Sequence, residues 1–93
     1  MPRFLIEVPH ESDTVTCARA VHVFLTTGSH FLSNADWGCR DGDHRAIFFV
    51  EVDSYDEARQ IVPVAFRSAA KIVRVGKFTT AQIERTLREH NAL

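Results

Sequence analysis

The fold is decided by residues 35–52, which read ADWGCRDGDHRAIFFVEV. The second half of this stretch, residues 46–52, is rich in β-branched and aromatic residues, which is typical of a strand. The Asp41-Gly42 pair just upstream is a hairpin-turn signal. Both faces of the predicted strand carry apolar side chains: Ala46, Phe48, Val50 and Val52 on one, Ile47 and Phe49 on the other. We therefore expect a central strand that is covered on both sides.

The flanking segments alternate between the two-residue period of strands and the 3.6-residue period of helices. Further strands are predicted over 3–8, 30–39 and 70–75, the second of them beginning irregularly. Helices are predicted from Ser12 or Asp13 to about Thr27, from Ser54 to Pro63, and from Thr79 toward the C-terminus, because each begins at a capping residue. The resulting order is β-α-β-β-α-β with a tail helix.

This order is the split βαβ pattern of ferredoxin-like domains. The chain has 93 residues, of which 45% are hydrophobic. That is enough for one compact core and too little for two ordinary domains. We therefore expect a single α+β domain over residues 1–93, whose small core would gain stability from oligomerisation.

A recognisable run comprises Trp37, the Asp41-Gly-Asp-His44 turn, the apolar strand to Val52-Asp53 and the helix start at Asp56-Glu-Ala58. In this run the chain resembles small one-domain proteins of the dimeric α+β barrel superfamily, in particular its GYD-type members. The resemblance implies a four-stranded antiparallel sheet in the order 4-1-3-2, helices on one face, and a homodimer joined sheet to sheet. The superfamily includes oxygenases, isomerases and ligand binders, so the fold does not decide the chemistry.

The residues also favour a homodimer on separate grounds. The sheet face opposite the helices would carry Leu5, Ile47, Phe49, Val73 and Val75. An apolar patch of this kind usually marks an interface. Glu7, Glu51 and Arg45 would share the face, either as ion pairs at its rim or with a carboxylate of raised pKa that acts as a general base.

The predicted topology also brings three ligand-type side chains to one edge of the sheet. His10 follows the first strand, Cys39 ends the second, and His44 begins the third, with Asp41 or Asp43 nearby. Imidazole and thiolate are ligands that zinc, nickel and copper prefer. The alternative is an ordinary polar turn beside a small core cysteine. Cys17, on the packed stripe of the first helix, is expected to be inert.

Two functional hypotheses remain open. The first is a homodimer that binds a metal ion or a small molecule, the latter in a pocket between sheet and helices or at the dimer seam. The candidate pocket residues are Trp37, Phe49, Glu7, Glu51, Arg45 and His44. The second is a cofactor-independent enzyme of the isomerase or monooxygenase type, in which His10, His44 or Glu7 moves a proton.

Charge and composition bear on partners and location. The net charge of −1 gives no basic footprint for nucleic acid and no polybasic patch for a membrane surface. The N-terminus lacks the apolar region of a signal peptide, and no apolar run approaches the length of a membrane span. We therefore expect a cytoplasmic protein, with its two cysteines reduced.

Overall fold

The computed structural model describes all 93 residues and has an α+β architecture built on a four-stranded antiparallel sheet with four α-helices. This part of the predicted fold class is confirmed. The strands lie side by side in the order β2-β3-β1-β4. The elements are β1 (Arg3–Pro9), α1 (Thr14–Thr26), α2 (His30–Ser33), β2 (Asp36–Trp37), β3 (Arg45–Glu51), α3 (Tyr55–Ile61), β4 (Lys71–Val75) and α4 (Thr80–Glu89).

The pairing of β1 with β3 determines which side chains are buried. Ile6 lies opposite Phe48, and Phe4 opposite Val50, so alternate residues of both strands share one face. That face packs against residues from the first three helices and forms the core. The core consists of Phe4, Ile6, Val8, Phe24, Leu32, Ala46, Phe48, Val50, Ala58 and Val62.

The helices begin where capping residues satisfy their first backbone donors. The Asp13 side chain accepts a hydrogen bond from the Thr16 N–H, and Ser54 accepts one from the Glu57 N–H. Helix α1 ends before Gly28, whose φ of +83° is the left-handed conformation that glycine tolerates best. These helix boundaries agree with those predicted from the sequence. None of the helices combines the length and apolar character needed to cross a bilayer.

The second predicted strand differs most from the structure. Residues 30–33 form one helical turn, α2, and β2 is only two residues long. Asn34 explains the difference, because its side-chain amide and its backbone N–H both donate to the His30 carbonyl, at 2.7 and 3.2 Å. Such local bonds compete with a strand ladder. The predicted two-residue hairpin is also replaced by a longer loop, residues 38–44, which contains a 3₁₀ turn over Cys39–Asp41.

Helix α4 extends away from the rest of the chain. The radius of gyration is 17.0 Å, compared with about 12 Å for a compact chain of this length. A capping box of Thr79 and Gln82 starts the helix as predicted, yet none of its residues is buried. Ile83 and Leu87, one turn apart, leave an apolar stripe that the chain itself does not cover.

Phe24 is the side chain that joins α1 to the sheet, and we expect Phe24→Ala to be strongly destabilising. The Phe24 ring is 1% exposed and packs edge-on against Trp37, Phe48 and Phe66. Its removal should lower the free energy of unfolding by about 3–5 kcal/mol. The neighbouring Leu25 is 54% exposed, so Leu25→Ala should change it by no more than about 0.5 kcal/mol. Urea unfolding of the two variants at one protein concentration measures both free energies of unfolding, and equal losses would contradict this packing.

Candidate metal centre

Four side chains converge at one edge of the sheet: His10, Cys17, Cys39 and His44. One ligand atom from each lies within 4.8 Å of all the others. The His10 Nε2 atom is 3.2 Å from the Cys17 Sγ and 3.3 Å from the Cys39 Sγ. All four residues are half-buried. We call this group the His/Cys cluster.

The two histidines are positioned by the sheet. Pro9 pairs with Arg45 at the end of the β1–β3 ladder. The His10 N–H then donates to the His44 carbonyl at 3.0 Å, which extends the ladder by one more bond. As a result the two imidazole rings lie edge to face, with their centroids 5.5 Å apart. The structure therefore places His10 and His44 close together, as the predicted topology required.

Cys17 is brought to the cluster by the start of α1. The Asp13 carbonyl accepts the hydrogen bond of the Cys17 N–H at 2.9 Å, so the cysteine lies one turn into the helix. Val21 and Phe24 follow it at positions i+4 and i+7, and this stripe faces the sheet. The thiol therefore lies over the end of β1.

Cys39 is positioned by the loop 38–44. The Gly38 carbonyl accepts hydrogen bonds from the N–H groups of Asp41 and Asp43, both at 3.0 Å. These bonds fold the loop back on itself and place Cys39 close to His44. A Cβ atom on Gly38 would be only 2.6 Å from the Asp43 carbonyl oxygen. The loop thus depends on a glycine at this position.

Burial sets the protonation preferences in the cluster. Desolvation, followed by the proximity of His44, lowers the pKa of His10 and so favours neutral imidazole, the form that binds metals. Desolvation, followed by the neighbouring Cys17, raises the pKa of the Cys39 thiol. A metal ion would favour the thiolate instead and displace its proton.

The donor set suits a tetrahedral ion, and two of the distances between ligand atoms are already close to those that such an ion needs. Zinc bonds of 2.0–2.3 Å to nitrogen and sulfur place neighbouring ligand atoms about 3.3–3.8 Å apart. The two His10–thiol distances are already close to this range. The Nδ1 atoms of His10 and His44 are buried without a hydrogen-bond partner. Such atoms are uncommon. In His10 the nitrogen that faces the thiols is Nε2, so an ion held there would leave the Nδ1 atom of that ring without a partner.

The acidic residues of the loop do not join the cluster. Asp43 accepts hydrogen bonds from the Arg45 guanidinium at 2.7–2.9 Å, and this contact lowers the pKa of Asp43. Arg45 also donates to Glu7 at 2.9 Å. Asp43 and Glu7 are therefore engaged with a common cation.

The predicted pocket residues fall on the two different faces of the sheet. Trp37 packs edge-on against Phe24 and His10 on the helix side. It lines a cavity of about 350 Å³ together with both cysteines of the cluster. The opposite face, which we call the open face, carries the other members: Glu7, Arg45, Phe49 and Glu51. Within one chain the structure does not bring Trp37 together with these four residues.

Cys17 is the member of the cluster that sequence reasoning missed. Its expected place on the packed stripe of α1 is correct, but its sulfur contacts His10 instead of apolar side chains alone. The sequence feature that could have revealed the place of Cys17 is the short connection between β1 and α1. Only a few residues separate His10 from the helix cap Asp13, so the first turns of α1 must lie close to the end of β1.

Comparison with known proteins assigns no family to the chain. No protein-family model matches it, and searches of curated proteins and of solved structures found no similar protein. The geometry of the cluster is therefore the basis for its interpretation.

Gly38→Ala tests how strictly the loop positions the cluster. The added methyl group would collide with backbone at Asp43, so we expect a loss of about 1–3 kcal/mol in the free energy of unfolding. Gly76→Ala is the matched control, because a Cβ atom there meets nothing within 4 Å. That variant should be neutral or slightly stabilising. Chemical unfolding of both proteins gives the comparison, and a neutral Gly38→Ala would show that the loop has another structure.

Proposed function

We propose that the protein binds one zinc ion per chain through His10, Cys17, Cys39 and His44. The observation that carries the proposal is the convergence of four ligand atoms within 4.8 Å. Two thiolates and two imidazoles in tetrahedral arrangement are a characteristic zinc ligand set. Nickel and copper accept the same donors, and the experiment below discriminates among the three metals.

Four protein ligands favour a structural or storage role for the ion. A catalytic zinc normally keeps one position for water or substrate, whereas a structural zinc has four protein ligands. Here the ion would join the end of β1, the first turns of α1 and the loop 38–44. Because the unfolded chain would not present these ligands together, binding would stabilise the folded state.

The same arrangement disfavours the enzyme hypothesis. Its proton-transfer candidates were His10, His44 and Glu7. In the zinc-bound protein both histidines would be ligands, and Glu7 is paired with Arg45. Glu7 also lies on the open face, whereas a general base must reach the group that it deprotonates.

We also propose that the protein is a homodimer of the ferredoxin-like, dimeric α+β barrel type, joined through the open face. Leu5 lies between Phe49 and Val73 in the sheet, and the latter two are 47% and 38% exposed. The Arg3 guanidinium carbon lies over the Phe49 ring, 4.0 Å from its centroid, and Phe49 still remains half exposed. A second copy of the chain would bury the apolar row formed by Leu5, Phe49 and Val73. The strand order, which reads 4-1-3-2 from the β4 edge, supports the same proposal.

Metal titration tests the zinc site. The purified protein is stripped with a chelator, reloaded with zinc, nickel or copper, and titrated against a chromophoric competitor. We expect one zinc per chain, a higher thermal midpoint with zinc, and at least about a tenfold loss of affinity in Cys17→Ser or His10→Ala, since each removes a ligand. His22→Ala is the control, because His22 is exposed and outside the cluster.

The metal titration has two informative failures. Unchanged zinc affinity in both cluster variants would remove the site. Stoichiometric nickel or copper with no zinc would keep the site and reject zinc as its metal.

Sedimentation velocity tests the homodimer. We expect a dimer at micromolar concentration and a monomer for Phe49→Glu, because the substitution places a charge in the centre of the apolar row. Val64→Glu is the control, since Val64 is 75% exposed but follows α3, outside the sheet. A monomeric parent protein would reject the interface.

A further inference from the structure

We infer that Cys17 and Cys39 form a reversible oxidation site, in which a hydroperoxide converts the two thiolates to a disulfide and thereby releases the metal. The inference concerns regulation of the His/Cys cluster, and its metal-release step rests on the proposed function. Three features carry it: the distance between the sulfurs, the mobility expected of one of their supports, and their access to solvent.

The two sulfurs are close without being bonded. Both cysteines are free, and both sulfurs contact the same His10 Nε2 atom. Their separation is at most 4.8 Å. A disulfide has a bond of about 2.05 Å, so the pair must close by less than about 3 Å. No other cysteine is present in the chain to compete as a partner.

The two cysteines lie on different kinds of element, a helix and a loop, and this difference allows one sulfur to move toward the other. Cys17 is on α1, which is fixed to the core by the buried residues Ala20 and Phe24. Cys39 begins the 3₁₀ turn of loop 38–44, where residues 40–43 are exposed. Exposed loops with few buried contacts are the parts of a fold that open most easily. We therefore assign the closing movement to Cys39.

Both sulfurs are accessible to a small oxidant. A cavity of about 350 Å³ on the side of Trp37 and one of about 320 Å³ on the side of Ser12 are each lined by Cys17 and Cys39.

The reaction balances with hydrogen peroxide as the only oxidant. One cysteine thiolate attacks a peroxide oxygen, which breaks the O–O bond, forms a sulfenic acid and releases hydroxide. The second thiolate attacks the sulfenic sulfur, forms the S–S bond and releases a second hydroxide. Two protons convert the hydroxides to water. The two sulfurs together lose two electrons, and peroxide gains them.

Metal release follows from the loss of charge. A disulfide has no thiolate to donate, so the ion keeps only the two neutral imidazoles of His10 and His44. Thiolates dominate the affinity of zinc sites with mixed ligands because they are anionic and soft. Reduction by a dithiol returns both thiolates and restores the complete ligand set.

The test exposes the zinc-loaded full chain to excess hydrogen peroxide. Released zinc is followed with a chromophoric chelator, free thiols with a thiol-reactive dye, and the Cys17–Cys39 linkage by peptide mapping without reductant. We expect one zinc released per two thiols lost, an intact mass lower by two hydrogen atoms, and recovery of zinc binding after dithiothreitol treatment. In Cys17→Ser and in Cys39→Ser the linked peptide should be absent and dithiothreitol should not change their zinc binding.

Two results would overturn the inference. One is retention of zinc and both thiols under peroxide; the other is zinc loss with sulfinic acid on a cysteine and no linked peptide. The same oxidation of reduced, metal-free protein separates this inference from the zinc proposal. A linked peptide in a protein that binds no zinc would support the oxidation site and reject the metal centre. Stoichiometric zinc binding, with no linked peptide after oxidation of either the zinc-loaded or the metal-free protein, would support the metal centre and reject the oxidation site.

Discussion

The pairing of β1 with β3 is the constraint on which the rest of the structure depends. Its register, with Ile6 opposite Phe48, places one apolar set toward the helices and another on the open face. A shift by one residue would exchange the two sets. The same ladder continues to the bond from the His10 N–H to the His44 carbonyl. The core and the two histidines of the His/Cys cluster are therefore positioned by one register.

The cluster lies where this ladder ends and the hydrophobic core becomes thin. Trp37 connects the two, because its ring packs against Phe24 of the core and against His10 of the cluster. Burial next to this ring gives His10 the lowered pKa of a neutral ligand, while its Nδ1 atom has no hydrogen-bond partner. Polar groups that are half-buried and incompletely bonded destabilise an apolar edge unless they are compensated. The cluster is compatible with a bound ion, which would give the two thiols and the His10 Nε2 atom a common partner.

The sequence predicted the features that depend on local patterns. Alternation identified the faces of β1 and β3, and capping residues predicted the helix starts: Ser12 or Asp13, of which Asp13 is the cap, then Ser54 and Thr79. Topology then placed His10, Cys39 and His44 at one edge. Two features were missed, the first because of a local side-chain bond and the second because of non-local packing. The turn at α2 depends on the Asn34 side chain, and the membership of Cys17 depends on how α1 crosses the end of β1. Helical periodicity shows that Cys17 faces the sheet but not which strand end lies beneath it.

The proposed metal ion and the proposed disulfide would be alternative cross-links between these elements, and they would differ in what they fix. The ion would hold the end of β1, α1 and loop 38–44 together, because His10 and His44 are ligands along with the two cysteines. The disulfide would join only α1 and the loop, and would leave both histidines without a partner at the sheet edge. Oxidation would thus keep α1 joined to loop 38–44 and release both from the end of β1. Because a backbone bond holds His10 to His44 without a metal or a disulfide, the sheet edge would be the fixed part of the site and the loop that carries Cys39 its variable part.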